Sequence, residues 1–593
     1  MKRMKKIIAL AISIMMILPT LTALVPSAGA VDGSAISSSS DFMDMLPDGT
    51  YYLARDISID STYETEFTGT LDGNGHTVTV TVPMFKQLNG TVKNLTIVGE
   101  VKVELDNQSH IGALAQQAKG PTVDNVTNKA NVTVTQTGGN EGCVGGLIGR
   151  LNGHGDAPHA AIITNCTNDG DITAPGTVGG IVGCSYDGGS LFENCINNGD
   201  INNPAGIKNY FAAGGIYGYN GSAAVIVKNC VNNGEIVSAL HAGGIAGDAR
   251  KSATFENCTN NGEVRLSSTA KSDYAAAAGG MTGFALDTSC TVPLTLTNCV
   301  NNADVTAYIP GTADGVAGGM VGYTQKCAVV QVVLKNCLNN GNVTAGNQAG
   351  GMVGYVFGSG DTYANIDGCI SNGTISAAQY ASHFLGYSNQ NSTIIVNSIG
   401  NGELKALTEA DKTPRLAIVC LSSGDIAEYT IENLFLADNG TTELLSWATS
   451  DDNAKNRIAL TEVLGKDLAG TTITDYEGNT RGLIEASNVK AVTRGELNAD
   501  LIAKANAAVG SELFALQDGK VLFASMVTEP EAPVTEPETP ATEPTTPPTT
   551  DPEAPATEPT APSTGDNAIV IVAAVAMVSI LGVCLIGKKK VTE

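Results

Sequence analysis

One short motif, Asn-Cys-x-Asn-Asn-Gly-x-Ile/Val, recurs through most of the chain at unequal intervals. Full or nearly full copies place cysteine at Cys166, Cys195, Cys230, Cys258, Cys299 and Cys337. The same position, called here the cysteine position, is held in weaker copies by Leu95, Val126, Cys369, Ser398 and Leu434. Successive cysteine positions are 28 to 41 residues apart. Helical repeats keep a fixed period because helix length sets it, so this spacing predicts constant short strands joined by loops of variable length.

A second motif, Gly-Gly-Leu/Ile/Met-x-Gly, alternates with the first. Its copies begin at Gly145, Gly179, Gly214, Gly243, Gly279, Gly318 and Gly350. Each unit then offers three short β segments separated by Gly, Asn and Asp, the residues that form tight turns. No segment can bury its apolar face alone, whereas stacking one coil on the next buries a continuous core. We therefore predict an all-β, right-handed parallel β-helix over residues 31–435, with one coil for each of the eleven cysteine positions.

The environment of the repeated cysteine follows from side-chain alternation along a strand. An apolar residue stands three positions before each cysteine, as Phe192 does before Cys195. Strict alternation would place that cysteine on the opposite face, so we expect the intervening Asn to bend the chain and return the thiol to the core. The stacked Asn side chains should hydrogen-bond along the rod, beside buried free thiols. The cysteines outside the motif are better candidates for disulfides, although their pairing is open: Cys143, Cys184, Cys290, Cys327 and Cys420.

The two ends of the chain predict secretion and anchoring. Residues 1–30 combine Lys and Arg, an apolar run and a small-residue site ending at Ala30, the pattern of a signal peptide. Residues 527–566 are rich in Pro, Thr and Glu, which predicts a disordered linker. Residues 567–587 form an apolar run long enough for a transmembrane helix, and the basic tail at 588–593 predicts a cytoplasmic end.

Residues 436–526 contain less glycine and read as a small α+β region that caps the solenoid. The stretch 493–508 predicts a helix, with Thr493 and Glu496 spaced as a capping box. Leu501, Ile502 and Ala505 would line its apolar face. The residues from Phe514 to Phe523 predict strands on either side of a turn. A separate binding domain is the alternative to a cap for this region.

Two groups of residues resemble known families. Gly-Gly-Ile-x-Gly followed by Asn-Cys-x-Asn-x-Gly resembles the GLUG-type repeats of bacterial surface proteins, which also occur beside the catalytic domain of immunoglobulin-A-cleaving zinc metallopeptidases. The order Ala561-Pro562-Ser563-Thr564-Gly565, apolar run and basic tail is similar to the sorting signal of Gram-positive sortase substrates, with Ala561 where that family has Leu. This resemblance implies that sortase joins Thr564 to peptidoglycan after cutting before Gly565; a chain that stays in the membrane uncut is the alternative.

Charge and histidine content limit the functions open to the chain. Residues 31–587 carry 26 basic and 58 acidic residues, a formal net charge of −32, so we expect no nucleic-acid partner. None of the six histidines lies in a His-Glu-x-x-His sequence, the zinc-protease pattern. We therefore predict no catalytic residues, no metal and no cofactor. A β-helix lyase or hydrolase acting on polysaccharides remains the enzymatic alternative, and a passive surface component the structural one.

One set of aromatic residues suggests ligand contact. Each follows the last glycine of a Gly-Gly-x-x-Gly copy or its remnant: Tyr219, Phe284, Tyr323, Tyr355 and Tyr387. Stacked coils would align them in a row that could contact the sugar rings of a host or dietary glycan, or a surface protein. Arg150, Cys184 and Asp248 interrupt this row. The alternative is that the rings only pack on one another. The predicted function is thus a cell-surface adhesin or ligand-binding protein.

Overall fold

The computed structural model describes residues 33–527 with internal gaps. The gaps lie at 106–108, 137–141, 153–159, 187–188, 205–211, 222–224, 268–274, 287–289, 291, 310–313, 326–331, 408–414, 423–428, 438–442, 449–456, 460–471, 475–479 and 483–486. The predicted signal peptide, the sorting motif and the apolar run at 567–587 therefore lie outside the described residues. Within the described part of the chain, no helix has the length and apolar character needed to cross a bilayer.

Each full coil contains five short strands, not the three that the sequence predicted. In one coil they are Leu191–Glu193, Ile196–Asn197, Ile201–Asn202, Ala212–Gly214 and Tyr217–Asn220. Each strand pairs in parallel with its counterpart in the next coil, so the strands form five columns, numbered one to five in this order. The predicted segment that enters Asn-Cys is divided at the cysteine position into columns one and two, and the predicted Gly-Gly segment is divided into columns four and five. The predicted parallel β-helix is confirmed.

The strands before and after the cysteine position form columns one and two. Column one contains Ser34–Ile36, Thr50–Leu53, Thr70–Asp72, Ile162–Thr164, Leu191–Glu193, Val225–Lys228, Ala253–Glu256, Leu294–Thr297, Val332–Lys335, Tyr429–Ala437 and Ser487–Gly495. Column two contains Ile57–Ile59, Thr77–Val80, Thr167–Asn168, Ile196–Asn197, Val231–Asn232, Thr259–Asn260, Val300–Asn301, Leu338–Asn339 and Ile370–Ser371. Longer strands that run through more than one column include Thr91–Leu105, Thr122–Asn128, Val353–Asp367 and Tyr380–Gly400.

The strands after Asn-Asn-Gly form column three, and the Gly-Gly motif supplies columns four and five. Column three contains Asn131–Gln136, Ile172–Thr173, Ile201–Asn202, Ile236–Ser238, Val264–Leu266, Val305–Ala307, Val343–Ala345, Ile375–Ala377 and Leu404–Ala406. Column four contains Ile111–Gly112, Cys143–Gly145, Thr177–Gly179, Ala212–Gly214, His241–Gly243, Ala277–Gly279, Val316–Gly318, Gln348–Gly350 and, continuing into column five, Arg415–Ser422. Column five contains Phe85–Leu88, Ala115–Ala118, Ile148–Leu151, Val182–Ser185, Tyr217–Asn220, Ala246–Ala249, Thr282–Ala285, Val321–Thr324 and Glu443–Ala448.

The first coils are covered by a short helix, α1 (Ser39–Met43). Its N-cap Ser38 accepts a hydrogen bond from the backbone N–H of Asp41, which satisfies one of the free donors of the first turn. The helix buries Phe42, whose ring contacts Tyr63 and Phe85 at centroid distances of 6.1 and 5.4 Å. This aromatic cluster closes the start of the core.

Parallel pairing continues beyond the predicted boundary at residue 435. Strand Glu443–Ala448 pairs with column five, and Ser487–Gly495 pairs with Tyr429–Ala437 in column one. The remaining strands are antiparallel: Arg457–Ala459 adds to Glu443–Ala448, and Thr472–Thr474 pairs with Thr480–Gly482.

The C-terminal helix begins later than the sequence predicted. Helix α2 covers Ala499–Val509 and is capped by Asn498, whose side chain accepts from the backbone N–H of Leu501. The predicted capping box is wrong because Thr493 belongs to a strand of column one. The predicted hairpin is confirmed: Phe514–Gln517 pairs with Lys520–Phe523. Its two turn residues both have positive φ, as a two-residue hairpin turn requires.

Helix α2 and this hairpin pack on the flank of the last coils. Their buried residues Leu501, Ile502 and Phe514 share a hydrophobic cluster with outward-facing side chains of column two and its continuation. Those outward-facing residues directly follow the cysteine position: Leu338, Ile370, Ile399 and Phe435. The region therefore covers an apolar side of the coils, which a solenoid must do as well as close its ends.

The repeated cysteines point into the core, as predicted. Cys166, Cys195, Cys230, Cys258, Cys299, Cys337 and Cys369 are all buried free thiols. Burial raises the pKa of the Cys166, Cys230, Cys258 and Cys337 thiols well above its ordinary value. These cysteines therefore act as small apolar core residues.

The Asn before each cysteine forms the predicted bend and ladder. Asn194, Asn229 and Asn257 have φ between 52° and 56°, the left-handed conformation that Asn tolerates better than most residues. Each donates from Nδ2 to Oδ1 of the Asn one coil earlier, over 3.0 to 3.2 Å. This first ladder is exposed to solvent at most of its members.

A second ladder, two residues after the cysteine position, was not predicted and is fully buried. Its members are Asn128, Asn168, Asn197, Asn232, Asn260, Asn301 and Asn339. Except at Asn339, where the next coil has Ser371, each Nδ2 donates to Oδ1 of the next coil's Asn at 2.8 Å. It also donates to the carbonyl two residues later in its own turn; for Asn197 this is Gly199 at 2.8 Å. The buried amides thus satisfy one another and fix the turn of the seven coils that carry them.

The buried ladder also explains the Gly-Gly motif. A Cβ added to Gly180 would lie 2.5 Å from Oδ1 of Asn197 and 2.1 Å from the carbonyl oxygen of Gly215. The same contact joins Gly215 to Asn232. The second glycine of the Gly-Gly motif therefore leaves room for the ladder amide. The Gly-Gly motif and the Asn-Cys motif must for this reason occur together.

We predict that Asn232→Ala destabilises the protein far more than Asn233→Ala. Asn232 exchanges hydrogen bonds with Asn197, Asn260 and Gly234, and its loss strands buried donors and acceptors, at a cost of about 3–5 kcal/mol. Asn233 is exposed, so water replaces its partners and the cost should stay below about 1 kcal/mol. Urea unfolding followed by circular dichroism measures both. Equal losses would contradict the structural role of the buried ladder.

Candidate functional site

The predicted aromatic row is a single register position of column five. Parallel pairing aligns Tyr219 with Asp248, Asp248 with Phe284, and Phe284 in turn with Tyr323. The alignment then continues through Tyr355 to Tyr387. On the other side it passes from Tyr219 to Cys184, Arg150 and Gln117. The structure therefore brings all five predicted residues, and the three predicted interruptions, into one row.

The last three rings of the row contact one another edge to face. Tyr323 and Tyr355 have ring centroids 5.1 Å apart at an interplanar angle of 84°, and Tyr355 and Tyr387 are 5.0 Å apart at 74°. All three side chains are half-buried. Burial raises the pKa of Tyr323 to about 12. Part of each ring thus remains open to solvent, although the rings also support one another.

Phe284 differs from the other members because it is fully buried. Its ring stacks on His241 at 4.5 Å and on Tyr323 at 5.3 Å. The Arg250 guanidinium lies 4.9 Å from the same ring, a cation–π contact. Phe284 therefore packs in the core, beneath the exposed rings of the row, and supports the ring of Tyr323.

Two aromatic residues that sequence reasoning missed extend the exposed surface. Phe357 lies 6.4 Å from Tyr323 and 6.0 Å from Tyr355, and about a third of its side chain is exposed (36%). Tyr380 contacts Tyr387 at 4.9 Å. Neither follows a Gly-Gly-x-x-Gly copy, so only the coil register could have placed them here. We call Tyr323, Tyr355, Phe357, Tyr380 and Tyr387 the aromatic platform.

A second row of residues lies beside the aromatic row, and its members contact the polar residues that interrupt the aromatic row. This second row occupies the first position of column four and includes Cys143, His241 and Tyr380. Cys143 forms a disulfide with Cys184, with Cα atoms 5.5 Å apart. This bond supplies a pairing that the sequence left open. Cys290 is buried, with Sγ 2.9 Å from the carbonyl oxygen of Arg250, and Cys327 lies outside the described residues.

A buried charge cluster occupies the next interruption. Asp248 and His241 are fully buried, and Oδ2 of Asp248 lies 2.8 Å from the Arg250 guanidinium and 3.5 Å from Nδ1 of His241. Burial lowers the pKa of His241, which Asp248 partly opposes. A buried carboxylate needs such a partner, so Arg250 makes Asp248 tolerable in an aromatic row.

His110 sits at the head of the second row, beside Arg150. The backbone N–H of Cys143 donates to Nδ1 of His110 at 3.1 Å, and Nε2 lies 3.3 Å from the Arg150 guanidinium. Burial, reinforced by the Arg150 charge, lowers the pKa of His110 to about 4. His110 is therefore neutral in the folded protein near pH 7.

The described residues contain no group of three or more His, Cys, Asp or Glu side chains placed to hold a metal ion. Two of the six histidines, His154 and His159, lie outside the described residues.

Comparison with known proteins supports the predicted GLUG-type repeat. The model of the GLUG motif matches residues 140–173. Among solved structures, a putative immunoglobulin A1 protease from Bacteroides ovatus shares 18% identity, covering 55% of this chain and 78% of that chain, with a TM-score of 0.28. No curated protein matched. The chain thus carries a GLUG-type repeat on a parallel β-helix.

We predict that the stability of the protein falls between pH 6.5 and 4 partly because of His110. Its pKa is lower folded than unfolded, so the unfolded state binds a proton first as the pH falls. The shift from 6.5 to about 4 corresponds to a loss of roughly 3 kcal/mol, complete only below the folded pKa. Urea unfolding at pH 7 and pH 4.5 should show a smaller loss for His110→Gln than for the unaltered protein. An identical loss in the two proteins would contradict this assignment.

Proposed function

We propose that the protein is a surface-anchored, non-catalytic adhesin that binds glycans through its aromatic platform. The observation that carries the proposal is the contiguous, half-exposed set of rings on three successive coils. Their spacing is set by strand pairing, about 4.8 Å per coil, so the platform is rigid and repetitive. A rigid surface binds an extended chain of repeating units without ordering loops at each contact.

The net negative charge of the chain favours a ligand without negative charge. A formal charge of −26 for the whole chain repels polyanions, which leaves neutral or amino sugars as the favoured glycans. Aromatic rings contact the apolar faces of such sugars and need no charge. A surface protein of the host is the second class of ligand that the same rings could contact.

Anchoring completes the proposal. We infer that the signal peptide directs export and that the run at 567–587 holds the chain in its own membrane before transfer. Sortase would then cut after Thr564 and join it to peptidoglycan, with the linker at 527–566 extending the coils away from the wall. The support for this step is the order of Pro562, Thr564 and Gly565, apolar run and basic tail in the sequence.

We predict that substitutions in the platform weaken glycan binding in small steps. On a glycan array, Tyr355→Ala and Tyr387→Ala should each reduce affinity about fivefold, equivalent to about 1 kcal/mol for one lost aromatic contact. The triple change with Phe357→Ala should abolish detectable binding. Tyr52→Ala removes a half-buried tyrosine far from the row and serves as the control.

Thermal unfolding of the same variants separates binding from architecture. A purely structural ladder predicts that Tyr323→Ala lowers the free energy of unfolding by about 3–5 kcal/mol while the platform variants keep their affinity. That combination would overturn the glycan proposal. A hydrolysis assay on every bound glycan would reveal turnover if the chain were an enzyme.

We predict that Thr564→Ala releases the protein from the cell wall. The unaltered chain should stay with peptidoglycan after detergent extraction, because its link is covalent. The Thr564→Ala chain should become detergent-soluble and retain its membrane segment. Ser563→Ala changes the variable position of the motif and should behave like the unaltered chain. Full-length, detergent-soluble protein in unaltered cells would show that attachment is not covalent.

A further inference from the structure

One side of the coils presents three adjacent rows of outward side chains. They stand one, three and five residues after the cysteine position. In the four coils that begin at Cys166, Cys195, Cys230 and Cys258, these rows are formed by Thr167, Ile196, Val231 and Thr259; by Asp169, Asn198, Asn233 and Asn261; and by Asp171, Asp200, Glu235 and Glu263. We call these residues the open flank.

Further along the rod, the chain's own hairpin covers the first two of these rows. Leu338, Ile370 and Ile399, which continue the first row, are fully buried beneath Phe514, Val521 and Phe523. The equivalent side chains Ile196 and Val231 are only half-buried. The same strip is thus covered at one end and accessible at the other.

The covered end shows how a polypeptide binds the amide row. Nδ2 of Asn372 donates to the backbone carbonyl of Val521 at 2.7 Å, and Oδ1 of Asn372 accepts from the backbone N–H of Val521 at 3.2 Å. Nδ2 also donates to Oδ1 of Asn340 at 2.8 Å. The Asn372 side chain therefore stays hydrogen-bonded within the ladder and also binds the backbone N–H and C=O of one hairpin residue, as a neighbouring strand would.

Equivalent amides on the open flank have the same groups available. Nδ2 of Asn233 donates to Asn198 at 2.8 Å, and Nδ2 of Asn261 donates to Asn233 at 2.8 Å. Both side chains are exposed, and the described residues provide neither with a peptide partner. Ile196 and Val231 beside them would bury apolar side chains of an incoming segment, as Leu338, Ile370 and Ile399 bury Val521 at the covered end.

Charge distinguishes the partner from this chain's own hairpin. The third row accepts backbone hydrogen bonds: Oδ1 of Asp200 accepts from the N–H of Glu235 at 2.8 Å. Asn342 makes the same bond to Thr374 at 3.0 Å, so the fold requires an acceptor oxygen and not a negative charge. Nevertheless the four open coils all carry an acidic residue there, whereas the three coils under the hairpin carry Asn342, Thr374 and Glu403, of which only Glu403 is acidic.

We propose that the open flank binds an extended, basic segment of another protein, with apolar residues at alternate positions. The partner's backbone pairs with the asparagine amides, its apolar side chains cover Ile196 and Val231, and its Lys or Arg side chains meet the acidic row. A second copy of this chain fits poorly because 59 acidic residues oppose 33 basic ones. This surface is separate from the aromatic platform, so its test does not depend on glycan binding.

The test uses two cyclised peptides as probes, because an isolated hairpin is marginally stable in water. One carries residues 512–524 of this chain, and the other carries the same residues with Glu512→Lys and Gln517→Lys. Fluorescence anisotropy with the full chain should give a dissociation constant at least about tenfold lower for the lysine peptide at low salt. Asp171→Asn combined with Asp200→Asn keeps the acceptor oxygens and should reduce this advantage.

A second variant tests the amides. Replacing Asn198, Asn233 and Asn261 together by alanine should weaken binding of both peptides at least about tenfold. The matched control replaces Asn194, Asn229 and Asn257 by glycine, the residue that naturally stands at this position as Gly368, and should bind normally. Circular dichroism checks the fold; if the alanine chain has lost structure, the Asp171/Asp200 variant decides. Absence of binding by both peptides, or unchanged affinity in a folded alanine chain, would overturn the proposal.

Discussion

The contact between a buried asparagine amide and the second glycine of Gly-Gly-x-x-Gly holds six successive coils closed, from Asn168 to Asn339. An amide inside a hydrophobic core costs several kcal/mol unless every donor and acceptor is used. Here Asn197 donates to Asn232 and to Gly199, and accepts from Asn168. The amide can reach these partners only because Gly180 carries no Cβ. The chain therefore has to repeat both motifs together, whatever the length of the loops between them.

The side-chain amides of the exposed ladders donate in the direction opposite to those of the buried ladder, and the exposed ladders begin at carboxylates. Amides of the buried ladder donate toward the C-terminal coils, whereas those of the exposed ladders donate toward the N-terminal coils. The amide N–H groups of an exposed ladder thus give its first end a partial positive charge. Asp124 accepts from Asn165 there, and Asp169 accepts from Asn198. A carboxylate suits this end because it accepts without needing to donate, and its charge opposes that of the aligned dipoles.

The sequence predicts the solenoid well because its strongest signals are backbone turns. Gly-Gly and Asn-Asn-Gly mark bends whatever the packing around them, so the coil positions and the buried Cys195 follow from spacing alone. The buried Asn197 does not follow, because Asn beside Gly is typical of an exposed turn. Thr493 and Glu496 imitate a helix start for a similar reason: the local pattern fits a capping box, but pairing with Tyr429–Ala437 uses the same residues as a strand. Local chemistry cannot reveal a partner some sixty residues away.

The candidate site was predictable only as far as it depends on register. Tyr323 and Tyr355 align because their coils align, and the motif spacing identifies those coils, although column one also contains strands before Leu95 and after Leu434 that the eleven cysteine positions did not predict. Phe357 and Tyr380 belong to the platform through contacts across columns, which spacing does not encode. The open flank was invisible for another reason. Ile196 and Ile370 hold the same place in the repeat, and only the position of the C-terminal hairpin makes one accessible and the other buried. A repeat protein can thus differ in function from coil to coil without changing its repeat, since what covers a coil decides which of its side chains can bind.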